Sequence, residues 1–187
     1  ASLVGCANAP KPVADSSLTS GAAKPTVTAA RTPTKEVTGD LRDAILLLRK
    51  VHFAYDDATL SPAVRGHLTE AAEKLRLYPD VELYIDGHTD DRGSEEYNLG
   101  LGDKRANAVR DFLVQAGIPK SRLNVVTFGE EKPDTRGKDA AAYARNRRAE
   151  FRLLRGNVRL IVEEGTLLND KGAPIAAATP DVQYSAK

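Results

Sequence analysis

Two apolar stripes at helical spacing, each framed by short extended runs, constrain this chain more than any other feature. Val64, Leu68, Ala71, Ala72 and Leu75 form the first, and Leu99, Gly102, Ala106, Val109 and Leu113 the second. Residues so spaced share one face of a helix, and that face needs an apolar partner. Ser61-Pro62 offers an N-cap and a first-turn proline to the first helix, and Pro79-Asp80 ends it. The second runs from about Glu95 to Ala116 and stops at Gly117 and Pro119. Around these helices Val51 to Tyr55, Val81 to Ile85, Leu123 to Phe128 and about Arg148 to Leu154 read as strands, with Ala140 to Arg147 as a short third helix. The order β-α-β-α-β-β, with the short helix before the last strand, predicts an α/β (α+β) sandwich whose helices pack on one face of a mixed sheet.

The flanks read differently. Leu41 to Leu48 is apolar-rich, and its spacing suits either a short helix or the approach to a strand. Val158 to Val162 either extends or follows the last strand, and Asn169 to Lys187 looks loose. Residues 7–39 are Ala, Pro, Thr, Ser, Lys and Gly with scattered apolar residues, a composition that cannot offset its ordering entropy. A tether of that length reaches at most ~110 Å fully extended. The expected organisation is therefore a linker over 7–39, a domain over 40–155 and an extension over 156–187 to which the sequence assigns no role.

The lone cysteine, Cys6, excludes an intrachain disulfide and a multi-cysteine metal site. It closes Leu3-Val4-Gly5-Cys6, which resembles a bacterial lipobox. That resemblance implies that Cys6 carries acyl chains in an outer membrane, an anchor in which each buried methylene contributes ~0.8 kcal/mol. Lys and Arg number 27 against 26 Asp and Glu, so no global field favours nucleic acid. Aromatic residues are 5% of the chain and Trp is absent, too few for stacking platforms to dominate binding. His52, His67 and His88 are far apart in sequence and form no metal-ligand pattern. No cofactor is expected.

The stretch from Gly87 to Asn98 carries most of the chemistry. Asp90 follows a strand end, Gly93 suits a turn, and His88 is expected to orient the loop by hydrogen bonding. Asn98 and Arg105, seven residues apart, share a helix face to within ~20°. Arg105 lies beside the apolar stripe, where its guanidinium needs an acceptor; Asp90 or a ligand carboxylate would serve. A structural ion pair explains these residues without any ligand. A carboxylate and a guanidinium at a cleft also suit a zwitterion, with its ammonium on Asp90 and its carboxylate on Arg105. Asp90, Asp91, Glu95 and Glu96 could instead supply the acid and base of a glycan hydrolase, although such clusters more often form the solvated first turn of a helix.

The run Gly87-His88-Thr89-Asp90 to Asn98 resembles the signature of the OmpA-like C-terminal domain family. So do Arg105-Ala106-Asn107-Ala108-Val109, Val126 to Pro133 and Ala141 to Ala149, and the likeness covers about Val51 to Leu154. It implies a non-catalytic domain that binds peptidoglycan, with Asp90 and Arg105 holding diaminopimelate of the stem peptide. Tyr55, Asp56 and Asp57 fall in the loop that closes over the ligand in that family. Asn98 and Arg147 match motif positions near the site, as ligand contacts or as supports; Tyr97 is expected to pack. Ala54 follows Phe53 where the family often carries an acidic residue. The lipoprotein branch of the family further implies the periplasmic propeller protein of the Tol system as a partner, another envelope machine being the alternative.

Overall fold

The computed structural model describes residues 44–175. Cys6, the 7–39 linker and the last twelve residues of the extension, 176–187, lie outside the described residues. The elements in order are β1 (Ile45–Arg49), β2 (Val51–His52), α1 (Pro62–Leu77), β3 (Glu82–His88), α2 (Glu95–Gln115), a 3-10 turn (Lys120–Arg122), β4 (Leu123–Gly129), α3 (Ala140–Asn146), β5 (Arg148–Arg155) and β6 (Arg159–Glu163).

Local chemistry explains the helix limits. Ser61 accepts from the Val64 amide with Pro62 in the first turn, Ser94 caps α2 through Tyr97, and Asp139 caps α3 through Ala142. All five residues of the first stripe are buried, as are Ala106, Val109 and Leu113 of the second. Each fully buried Leu or Val side chain contributes roughly 1.5–3 kcal/mol, so these faces hold both helices in one core with the strands. A second layer of strands forms a four-stranded sheet.

That sheet is mixed, in the order β2-β5-β3-β4. β3 and β4 are parallel, whereas β5 runs antiparallel to both β3 and β2. The C-terminal ends of β2, β3 and β4 therefore meet at one edge, where β5 also begins. Loops carried by that edge converge, the usual place for a site in a sheet of this kind.

The flanks resolve into a second, two-stranded parallel sheet. Leu46 and Leu48 of β1 are buried and pair with Leu160 and Val162 of β6, so the described part of the first flank is a strand from Ile45 and the second follows β5 rather than extending it. The expected strand over Val51 to Tyr55 stops at His52, because the chain turns away to build a loop whose carbonyls serve the site.

A close approach aligns α2 with that edge. A Cβ on Gly87 would lie 2.0 Å from the Gly102 carbonyl oxygen, so only glycine lets helix backbone meet strand backbone here. Three residues further along α2, Arg105 is carried to the open edge.

Candidate functional site

At this edge a cleft of about 220 Å³ is lined by Tyr55, Asp56, Asp90, Arg92, Gly93, Tyr97, Asn98, Leu101 and Arg105. The loop after β2 supplies the first two, the loop after β3 the next three, and α2 the rest. Gly93 has φ 117°, a conformation L side chains rarely adopt, and this turn leads the chain from Asp90 into α2.

Arg105 is fully buried, and its donors go to backbone. Nε reaches the Asp57 carbonyl at 2.9 Å, Nη1 that of His88 at 2.9 Å and Nη2 that of Ala54 at 3.1 Å. One guanidinium thus ties the ends of β2 and β3 to α2. The direct bond to Asp90 that the sequence suggested does not form, because the loop carbonyls converge on the same nitrogens. Burial pulls the Arg105 pKa down to about 10, with Asp90 acting in the opposite direction, so the group stays charged at neutral pH.

Asp90, only 3% exposed, is paired elsewhere. Its Oδ2 accepts from Arg92 Nη2 at 2.6 Å and Nε at 3.2 Å, and from Arg147 Nη1 at 3.3 Å. Oδ1 accepts only from the Arg92 amide, at 3.3 Å, among the described residues. Arg92 escaped the sequence reading, since a lone arginine in an acidic loop looks like a solvated charge. Its guanidinium stacks on Tyr55 at 4.0 Å and Tyr143 at 4.4 Å.

Arg147 does not line the cleft. It is 1% exposed and stands beside Asp90, donating to the carbonyls of Phe53 at 3.0 Å and Leu168 at 2.8 Å. Asn98 is buried, lines the cleft with Arg105 as their seven-residue spacing requires, and donates to Glu130 at 2.6 Å. Asp57 contributes its carbonyl to Arg105, while its side chain accepts from the Thr59 amide at 2.8 Å.

Two expectations need correction. Tyr97 is half exposed rather than packed: its hydroxyl donates to Asp56, whose φ of 51° turns the loop toward α2. His88 does not orient the loop through its ring. Nδ1 has no hydrogen-bond partner among the described residues, the ring stacks on Phe128 with centroids 5.4 Å apart, and only the backbone carbonyl serves Arg105. Burial, with Arg148 nearby, lowers the His88 pKa to about 4.

The acidic cluster resolves into separate roles rather than an acid and base facing a common bond. Asp90 holds guanidiniums, Asp91 lies 3.6 Å from Lys138, and Glu95 and Glu96 occupy the first turn of α2. Among the described residues no three His, Cys, Asp or Glu side chains gather as a metal site, and no helix is long and apolar enough to cross a membrane.

The OmpA family pattern matches residues 52–147. A peptidoglycan-associated lipoprotein of Legionella pneumophila is 44% identical over 99 residues, which cover 53% of this chain and 56% of that protein. Its namesake from Rhizobium meliloti is 34% identical over 151 residues, covering 79% of this chain and 78% of the relative. Among solved structures, the peptidoglycan-associated lipoprotein from Burkholderia pseudomallei superposes with a TM-score of 0.55 at 39% identity, over 56% of this chain and 89% of that one. The chain spans little more than half the length of the Legionella relative. With a matching fold, a matched segment that runs from β2 to the end of α3, and a relative covered over most of its length, the chain belongs to the OmpA family.

Proposed function

We propose that the protein is a non-catalytic outer-membrane lipoprotein whose domain binds the diaminopimelate-containing stem of peptidoglycan, and so tethers the membrane to the wall. The observation that carries this reading is the incomplete pairing of Asp90 and Arg105 across one cleft. Asp90 Oδ1 accepts one long backbone contact. Arg105 has five N–H donors, of which three serve carbonyls, leaving two. The free end of diaminopimelate carries an ammonium and a carboxylate on one carbon. Its ammonium matches Asp90 Oδ1, and its carboxylate matches the remaining Arg105 donors, with Tyr55 and Tyr97 as walls.

Size supports the same reading. A cleft of about 220 Å³ is smaller than the ~300–1,000 Å³ that bury a drug-sized ligand whole, so it suits one end of a longer chain. The names of the Legionella, Rhizobium and Burkholderia relatives point to the same polymer and to a lipid-anchored protein. Acylation of Cys6 and partnership with the periplasmic propeller protein of the Tol system complete the proposal.

Mass spectrometry of protein made in a bacterial host tests the anchor: a diacylglyceryl adduct on Cys6 is expected, and an unmodified thiol would contradict it. Copurification tests the partner, with retention of the propeller protein expected and its consistent absence pointing to another envelope machine. Sedimentation with purified peptidoglycan tests binding itself. The polymer is expected to pellet the protein unchanged in glycan length, and release of soluble fragments would indicate hydrolysis instead.

A further inference from the structure

The segment beyond β6 returns to the site from outside the matched family region. Glu164 meets His52 at 2.5 Å and Lys50 at 3.4 Å, and the His52 hydrogen bond is the main reason the Glu164 pKa falls to about 2. Leu167 and Leu168 are buried. A turn follows, closed by the Leu168–Pro174 bridge and by Asn169, whose Oδ1 accepts from the amides of Lys171 and Ala173 at 2.9 Å each. Its tip presents Asp170. The Asp170 carbonyl accepts from the Tyr55 amide at 3.3 Å. Its carboxylate takes Arg92 Nη1 at 3.0 Å and Nη2 at 3.2 Å, and Arg147 Nη1 at 3.0 Å.

Asp90 and Asp170 therefore share the same two guanidiniums. Two cations are matched by two carboxylates, so these four side chains sum to zero. Without the Asp170 charge, Arg92 and Arg147 would both bear on Asp90 alone, leaving a net positive pair beside the position of an incoming ammonium. Asp170 itself does not line the cleft. Its effect is exerted through Arg92 and Arg147, and the hydrogen bond from Arg92 keeps its own carboxyl below the usual range.

Resting on the proposed reading of the cleft, we infer that Asp170 is a positioning and specificity-determining residue, which takes up part of the charge of Arg92 and Arg147 so that Asp90 can accept the ammonium of a zwitterionic ligand. The extension is thereby a working part of the site. A ligand carrying only the carboxylate gains nothing from Asp170, because it makes no demand on Asp90.

Calorimetric titration of the whole chain with two peptides tests this. One carries a diaminopimelate side chain with free ammonium and carboxylate; the other has hydrogen in place of that amino group. Asp170→Asn keeps the backbone contacts of the turn, removes the charge and turns one of the two acceptor oxygens into an amide donor. It is expected to weaken the zwitterionic peptide about tenfold, well below the full short-range effect of a unit charge near a protein surface, because Asp170 is half exposed and acts through Arg92 and Arg147. The des-amino peptide should bind the variant as well as it binds the parent, or better. Equal weakening of both peptides would reduce Asp170 to a structural prop and overturn the inference, as would unchanged binding of both by the variant. Failure of the parent to bind the zwitterion would instead overturn the reading of the cleft, and this inference with it.

Discussion

Asp90 and Arg105 line one cleft without sharing a hydrogen bond. Arg105 is held by the carbonyls of Ala54, Asp57 and His88, and Asp90 by Arg92 and Arg147. Each is fixed by its own partners and keeps capacity beyond them: among the described residues Asp90 Oδ1 accepts one backbone contact, and three of the five Arg105 N–H donors serve carbonyls. Had they paired directly, a ligand would first have to break that pair. Two preorganised, opposite and separately supported charges would suit a molecule bearing both signs, as the proposed function requires.

Replacing Arg105 by Lys tests the support. One ammonium cannot reproduce three donors in a planar fork, so buried carbonyls lose their partners. The variant is expected to be less stable by about 2–4 kcal/mol and to bind stem peptide more weakly. Urea unfolding followed by far-ultraviolet circular dichroism measures the first effect. An unchanged midpoint would show that the carbonyls are satisfied in another way.

Much of this frame was legible in the sequence. Capping residues and 3.6-residue spacing located α1 and α2, because those signals are local. The seven-residue spacing also put Asn98 and Arg105 on one face. What escaped depends on contacts distant along the chain. Asp170 meets Arg92 across 78 residues, and β1 finds β6 across more than a hundred, relationships that only the completed sheet brings together. Arg105 illustrates a different limit. Its helix face was readable, but which acceptors would reach it depended on where the loop after β2 turned. Tyr97 failed for a related reason, since an aromatic residue on a first turn packs or stays exposed according to the loop opposite it.

Gly87→Ala should disturb the site from a distance. Its Cβ would fall 2.0 Å from the Gly102 carbonyl oxygen, so α2 must retreat from β3 and draw Arg105 away from its carbonyls. A loss of about 3 kcal/mol is expected, at the upper end of ordinary overpacking. Wild-type stability in the same unfolding experiment would mean that helix and strand do not meet through these two glycines.

His88 gives the fold a pH dependence of defined sign. Its pKa is about 4 in the folded chain against 6.5 for the free side chain, so the unfolded chain binds the proton first as pH falls. The contribution is fully present above pH 6.5 and is lost progressively between 6.5 and 4. At pH 5 the loss should be roughly 2 kcal/mol relative to pH 7, on the scale of 1.4 kcal/mol per pH unit. Glu164 titrates lower, between 4.5 and about 2, and does not interfere at pH 5. Comparing the chain with His88→Gln at both pH values checks this. A midpoint difference that persists in the variant would assign the dependence to other groups.

Calorimetric titration of the chain and of Asp90→Asn with diaminopimelate-containing stem peptide tests whether Asp90 receives a ligand ammonium. Asparagine keeps the shape of the side chain while removing the charge proposed to meet the ligand ammonium, and Asp170 still partners Arg92 and Arg147. The parent is expected to bind, and the folded variant to lose at least about 2 kcal/mol of affinity, roughly thirtyfold. Equal binding by parent and folded variant would contradict the assignment of Asp90 as the ammonium receptor.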